Sequence, residues 1–270
     1  MQYKLIAIDM DKTLLTDESL LTERSKEAME AAEKKGAYVV LATGRMAANV
    51  RALVEKLGLN LHSPIICGGG SQVVDKDYNL IYSCNIVPDV AKQVLDFCRD
   101  NNIYCQIFEG ANFIFKKHMP QTDTYVGISG LTPVEDPDIF EREHVDTPKI
   151  LIIEDEETIK KLQVTLREKF PMLNIGTSRP TFLELNNPDG NKGVALKVLA
   201  EKLGLSRDEL IAIGDNQIDA SMIEYAGLGA AVGNALPEIL PVELAGMNCE
   251  FRGFQFGARP GKPAQNTFPS

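Results

Sequence analysis

The sequence contains no tryptophan, three histidines and five cysteines in 270 residues. The cysteines, Cys67, Cys84, Cys98, Cys105 and Cys249, are odd in number and form no C-x-x-C pair. That speaks against a disulfide framework and a structural zinc site, and it suits a reducing compartment. His62, His118 and His144 lie far apart with no H-x-x-x-H pair, so they read as structural or surface residues rather than ligands. No apolar run approaches the ~20 residues that cross a bilayer. At the amino terminus Asp9 and Asp11 interrupt the apolar stretch before a signal-peptide core forms, so no membrane partner is expected and a cytoplasmic location is. Positive charge is also scarce: 28 Lys+Arg stand against 38 Asp+Glu, a formal net charge of -10, which argues against nucleic acid as a partner. There is no repeat of solenoid period and no low-complexity linker, and nothing in the sequence sets an oligomeric state. What remains is 44% hydrophobic and 24% charged, the composition of an ordinary globular chain able to bury one large or two moderate cores.

The apolar pattern divides the chain. Lys4 to Ile8 is a short, mainly apolar run with β-branched residues, bounded by Asp9, that reads as a buried parallel strand. Thr22 can cap a helix running to Lys35, Gly36 ends it, and Ala37 to Ala42 is a second strand. A helix from about Met46 to Leu57, ended by Gly58, and a strand from Pro64 to Cys67 repeat the unit. The rhythm returns downstream with a helix over 193–203, a strand over 210–213, a helix over 218–226 and a strand over 230–232. Between these blocks strands come in adjacent pairs. The runs 103–108 and 113–117 flank Glu109-Gly110-Ala111-Asn112, a hairpin signal, and 174–177 with 181–185 suggest a second hairpin. Residues 149–154 read as a strand and 156–170 as a helix. The expectation is an α/β protein: a doubly wound parallel sheet, residues 1–82 and 188–240, interrupted by an inserted α+β domain, 83–187. From 241 to 270 the prolines and glycines break both apolar periods, and an irregular tail is expected.

In open α/β sheets ligands bind beyond the carboxyl ends of the strands. Four such places hold chemically useful residues: Asp9 and Asp11 after the first strand, Thr43-Gly44-Arg45 after the second, Lys192 opening the helix after the insertion, and Asp215-Asn216 with Asp219 after strand 210–213. Clustered carboxylates repel one another, and a divalent cation relieves that repulsion. A hard, oxygen-rich site suits Mg2+, which would also offset repulsion between a carboxylate and an incoming phosphate. Thr43 and the Gly44 amide can hydrogen-bond phosphate oxygens, and Lys192 can supply a point charge.

These residues carry a family resemblance. Asp9-Met10-Asp11-Lys12-Thr13-Leu14, Ala42-Thr43-Gly44-Arg45, Asn191-Lys192-Gly193 and Gly214-Asp215-Asn216-Gln217-Ile218-Asp219 resemble, in order, the four motifs of the haloacid dehalogenase-like superfamily, and more closely its Cof-like phosphatases. The resemblance covers about residues 1–240 and implies a Rossmann-like core with an α/β cap inserted between the second and third motifs. It implies a Mg2+-dependent hydrolase of small phosphomonoesters, such as sugar phosphates, nucleotides or phosphorylated cofactors, acting through an aspartyl-phosphate. Asp9 would be the nucleophile and Asp11 the acid and base. The metal would be held by Asp9, the Asp11 backbone carbonyl and Asp215, with Asp219 in support, while Thr43, Gly44 and Lys192 hold the phosphoryl group. Asn216 would lie with the substrate, and Arg45 would either bind substrate or pair with a carboxylate.

The sequence departs from that pattern at four places. Lys12 stands where glycine is usual, Ile218 where asparagine is common, and Gly68-Gly69-Gly70 where Asn-Gly-Ala is usual. A further strand and amphipathic helix are not visible after about Leu240, which reads as a shifted frame or a truncated core. A phosphomutase and a catalytically weakened phosphate-binding protein remain as alternatives.

Overall fold

A computed structural model describes residues 2–59 and 62–235. The expected irregular tail, and the last residues of the second core segment, lie outside the described residues.

The first strands follow from their composition. β1 (Leu5–Asp9), β2 (Tyr38–Ala42) and β3 (Ile65–Cys67) are near-continuous apolar runs, as strands covered on both faces must be. Between them, α1 (Glu23–Lys34) starts where the Thr22 side chain accepts from the Ser25 amide, and α2 (Ala47–Lys56) has Met46 as its N-cap. β4 (Gln72–Val74) and β5 (Leu80–Ser83) then turn back antiparallel.

The chain next builds a second unit. It contains α3 (Pro88–Asp100), β6 (Cys105–Glu109), β7 (Asn112–Phe115), α4 (Pro120–Ser129), β8 (Thr132–Glu135), β9 (Lys149–Ile153), α5 (Glu156–Lys169), β10 (Asn174–Arg179) and β11 (Phe182–Asn186). It returns to the first sheet through α6 (Lys192–Lys202), β12 (Leu210–Gly214), α7 (Ala220–Tyr225) and β13 (Leu228–Ala231). The core sheet has the order β13-β12-β1-β2-β3-β4-β5, and its first five strands are parallel. α6 and α7 pack on one face through Leu196, Leu199 and Met222, and α1 and α2 on the other through Met29, Val50 and Val54. This is the Rossmann-like core, and the second sheet, ordered β10-β11-β9-β6-β7-β8, is the cap.

Several elements differ from the sequence reading, each for a local reason. Residues 88–100 form a helix whose buried Ala91, Val94, Leu95 and Cys98 follow helical spacing, started by Pro88. The helix expected over 218–226 begins as a single tight turn, Gln217–Asp219, before α7. The last strand starts at Leu228 rather than 230, because Gly229 lets it lie against the Ile223 backbone, where a Cβ would come within 2.4 Å of Ile223 O.

Cap and core meet through few side chains. Met46 and Ala48 of the core pack into a cap cluster of Tyr104, Phe108, Phe113 and Tyr125, and Asn49 Nδ2 donates to the Ser129 carbonyl. At the two crossings, Asn187 Nδ2 donates to Asn85 O at 2.9 Å and Asn85 Nδ2 to Asp146 Oδ1 at 2.6 Å.

Candidate active site

β1 ends at Asp9, and β12 runs parallel beside it with Ile8 opposite Ile213. Their carboxyl ends therefore deliver Asp9 and Asp215 to one edge of the sheet. The turn after β12 folds Asp219 back onto them. Carboxylate oxygens of Asp9, Asp215 and Asp219 lie within 4.8 Å of one another, and all three residues are buried. Gly214 makes the approach possible, since a Cβ there would stand 2.4 Å from the Asp219 Cβ.

Lys192, the first residue of α6, is fully buried among them. Its Nζ donates to Asp9 Oδ1 at 2.6 Å and to Asp219 Oδ1 at 2.5 Å. Asp219 Oδ2 accepts from the backbone amides of Asp215 and Asn216, each at 3.0 Å. Asp219 thus orients both the lysine and the loop that carries Asp215. Burial pulls the Lys192 pKa down, but the two carboxylates outweigh it and the net direction is upward. Burial pushes Asp9 up to about 7, with Lys192 opposing and Asp219 adding to the rise. Asp215 is also raised by burial, against a hydrogen bond of 3.0 Å from Thr13 Oγ1. One ammonium among three carboxylates leaves an excess of negative charge, and every free donor atom is oxygen. Such a donor set fits a hard divalent cation.

Asp11 points elsewhere. Arg45 grips it in a fork, Nε to Oδ2 at 2.9 Å and Nη2 to Oδ1 at 2.7 Å. Of the two roles open to Arg45, the structure shows the pairing with a carboxylate, and that hydrogen bond raises the Arg45 pKa. The Asp11 side chain is nearly half exposed, so the pair contributes about 0–1 kcal/mol to stability and its value is positional. Thr43 is buried, its Oγ1 accepting from the Arg45 amide at 3.1 Å. A Cβ added at Gly44 would meet nothing within 4 Å, so open space lies beside its backbone. Asn216 is exposed and its Oδ1 accepts from the Gln217 amide at 2.7 Å, closing the turn. Ile218 is 55% exposed in that same turn.

Three residues or segments named in the sequence take structural roles that the sequence alone does not assign. Thr13, part of the first motif, holds Asp215 in place. The triple glycine after β3 supports two other motifs at once: the Gly68 and Gly69 amides donate to the carbonyls of Arg45 and Thr43 at 2.8 and 2.9 Å. Gly70, at φ +105°, lies against Asn191 so closely that a Cβ would be 2.1 Å from the Asn191 carbonyl carbon. Three consecutive glycines directly after a strand were the available signal. Lys12 has a left-handed φ of 69°, which explains why glycine is the easier residue there, and its charge partly opposes the burial that raises Asp215.

Comparison with known proteins agrees with this geometry. A family model described as haloacid dehalogenase-like hydrolase matches residues 6–243. The chain is 34% identical over 233 residues to a 5-amino-6-(5-phospho-D-ribitylamino)uracil phosphatase of Bacillus subtilis, covering 86% of this chain and 84% of the relative. It is 28% identical to an HMP-PP phosphatase of Cronobacter sakazakii, covering 88% and 86%. The crystal structure of a haloacid dehalogenase-like hydrolase from Bacteroides thetaiotaomicron superposes with a TM-score of 0.78 at 28% identity, covering 88% of this chain and 91% of that one. With four ordered motifs at one sheet edge and a cap inserted between the second and third, the chain belongs to the haloacid dehalogenase-like hydrolases, in their Cof-like branch.

Proposed function

We propose that this hydrolase is a Mg2+-dependent phosphatase of small phosphomonoesters, working through a phosphorylated Asp9. The observation that carries the reading is the convergence of Asp9, Asp215 and Asp219 within 4.8 Å around the Lys192 ammonium. Asp9 and Asp215, with the Asp11 backbone carbonyl, would hold the cation, and Asp219 would support it by orienting Lys192 and the Asp215 loop. Bound there, Mg2+ supplies Lewis-acid stabilisation of phosphate charge.

The chain's own residues supply the rest. A carboxylate oxygen of Asp9 attacks phosphorus in line, and the bond from phosphorus to the ester oxygen breaks. Asp11, swung out of the Arg45 fork and protonated, gives its proton to the departing alkoxide, so the alcohol leaves neutral. Asp11, now a carboxylate, takes a proton from water as that water attacks the phosphoryl group on Asp9. Inorganic phosphate leaves, and Asp9 regains its carboxylate. Thr43, the Gly44 amide and Lys192 offset charge on the transferring phosphoryl oxygens. Arg45 sets where the Asp11 carboxyl stands. Asn216, at the exposed rim, lies with the substrate.

The relatives named above act on small phosphorylated metabolites, which supports a substrate of that class. We infer a cytoplasmic enzyme from the five unpatterned cysteines, which suit a reducing compartment. Neither nucleic acid nor membrane enters the reading, and among the described residues no helix is long and apolar enough to cross a membrane.

Phosphate release from a panel of phosphomonoesters, with Mg2+ and with EDTA, tests it. The expected result is Mg2+-dependent turnover that falls by about 10⁴-fold in Asp9→Asn. A well-folded protein that binds phosphate esters without releasing phosphate would defeat the hydrolase and favour the mutase or the weakened binder.

A further inference from the structure

The four motifs of the catalytic edge carry three cationic side chains, Lys12, Arg45 and Lys192. Two of them are already paired. Lys192 Nζ lies between Asp9 and Asp219, at 2.6 and 2.5 Å. Arg45 is held in its fork by Asp11. Lys12 is exposed and makes no ion pair among the described residues.

The place of Lys12 is fixed from three sides. Asp11 before it is gripped by Arg45, and Thr13 after it donates to Asp215 Oδ1 at 3.0 Å. Its own carbonyl accepts from Nδ2 of Asn234, just beyond β13, at 2.8 Å. Between these anchors its backbone is left-handed, at φ 69°, a conformation that strains an L residue and not glycine. An exposed side chain recovers none of that strain by burial, which leaves its charge as the contribution that sets it apart from glycine. That charge reaches the site. Burial raises the Asp215 pKa, and of the two lysines that oppose the rise, Lys12 acts more strongly than Lys192, which lies inside the carboxylate cluster.

We propose that Lys12 captures the phosphate dianion of the substrate at the mouth of the site, supplying positive charge at first encounter while Lys192 and Arg45 are still paired. The proposal rests on the phosphatase reading above and adds a substrate-binding residue to it. The chain carries a formal net charge of -10, and three carboxylates stand within 4.8 Å of one another at the site, so an arriving dianion is repelled by both. An ammonium on a flexible four-carbon stem can meet the dianion outside the buried cluster and follow it inward, whereas a guanidinium locked in a fork holds its place. Lys12 works at the exposed rim and not in the packed core, so it acts on binding more than on the chemical step, and salt screens it. The product carries the same charge. Inorganic phosphate should therefore bind through Lys12 as well.

Isothermal titration calorimetry of inorganic phosphate into the Mg2+-saturated protein tests this, with steady-state kinetics on 4-nitrophenyl phosphate alongside. Lys12→Met removes the charge, Lys12→Gly removes it and relieves the backbone, and Lys12→Arg keeps it. The phosphate Kd should rise by about fivefold or more in Lys12→Met and Lys12→Gly and stay within about twofold in Lys12→Arg, with KM moving in parallel. Raising the salt from about 0.05 to 0.5 M should weaken phosphate binding less in the two neutral variants than in the wild type. Thermal melts report folding; should Lys12→Met not melt cooperatively, Lys12→Gly decides, since glycine adopts φ 69° without strain. Folded neutral variants that bind phosphate within about twofold of the wild type, or a Lys12→Arg as weak as Lys12→Met, overturn the capture role. So does a wild type that hydrolyses esters without binding phosphate, and the phosphatase then stands. A wild type that binds phosphate through Lys12 and releases none from any ester overturns the phosphatase reading alone.

Discussion

The two sheets of this protein place their polar residues by opposite rules. In the core, parallel strands bury both faces in aliphatic side chains and deliver two carboxylates of the site at their carboxyl ends, Asp9 from β1 and Asp215 from β12, with Lys192 and Asp219 brought in by the helix and turn that follow. In the cap, a mixed and mainly antiparallel sheet keeps one aliphatic face under helices and presents the other as rings with a few polar groups set among them, Gln106, Lys149 and Glu184. The first arrangement gathers charge at one point and suits chemistry on a phosphoryl group. The second spreads contacts over a surface and suits recognition of what the phosphoryl group is attached to. Damage to the core should therefore appear in kcat, and damage to the cap in stability or selectivity.

The sharpest way to break that contrast is Gly70→Ala. Its Cβ would need space now held by the Asn191 and Lys192 backbone, at 2.1 to 2.4 Å, and would displace the buried lysine without altering any catalytic side chain. A displacement of about 1 Å should cost about 10²-fold in kcat, measured by steady-state kinetics at saturating substrate. On the cap side, Phe113→Ala removes a fully buried ring packed 4.9 Å from Tyr125 and 5.5 Å from Phe115. A loss of about 3–5 kcal/mol is expected in urea unfolding. Hydrogen exchange should then show the cap opening before the core.

Alkali gives a smaller, graded effect. Burial pushes Tyr104 up to about 12, and it raises Tyr125 as well. An unfolded tyrosine ionises near pH 10, so the stability these neutral rings provide is complete below about pH 10 and is lost as pH rises through the folded value. The urea midpoint should fall from about pH 10 upward, and less steeply in Tyr104→Phe. An identical slope in the two proteins would count against burial as the cause. The smallest effect belongs to Lys12→Gly, which relieves a left-handed residue at φ 69° and should add about 1 kcal/mol to the core in the same urea assay. Loss of stability there would show that the Lys12 side chain holds the first motif in place.

Much of the core was legible because its strands are apolar runs that stop at Asp or Thr, and the residue after each stop is where chemistry can sit. The cap was harder. The 13-residue helix α3, with Ala91, Val94, Leu95 and Cys98 at helical spacing, precedes the hairpin signals of 103–117 on which the reading of the insertion rests. At the site, Asp9, Asp215 and Lys192 are visible as motif residues and Asp219 as a supporting acid, but not what Asp219 holds. That Asp219 uses both oxygens to orient others depends on a turn closing over four residues, and the support from Gly70 on a contact between residues far apart in sequence. Lys149 and Glu184 gave no local signal, since they meet only when β9 and β11 pair.

The central claim is that Asp9 itself takes the phosphoryl group. Acid quenching during turnover of 4-nitrophenyl phosphate with Mg2+, followed by peptide mass spectrometry, tests it directly. The account predicts one added phosphoryl group on the peptide containing Asp9, absent when EDTA is present and absent in Asp9→Asn. Phosphate released at full rate with that peptide unmodified, or a phosphoryl group on any other residue, would contradict it.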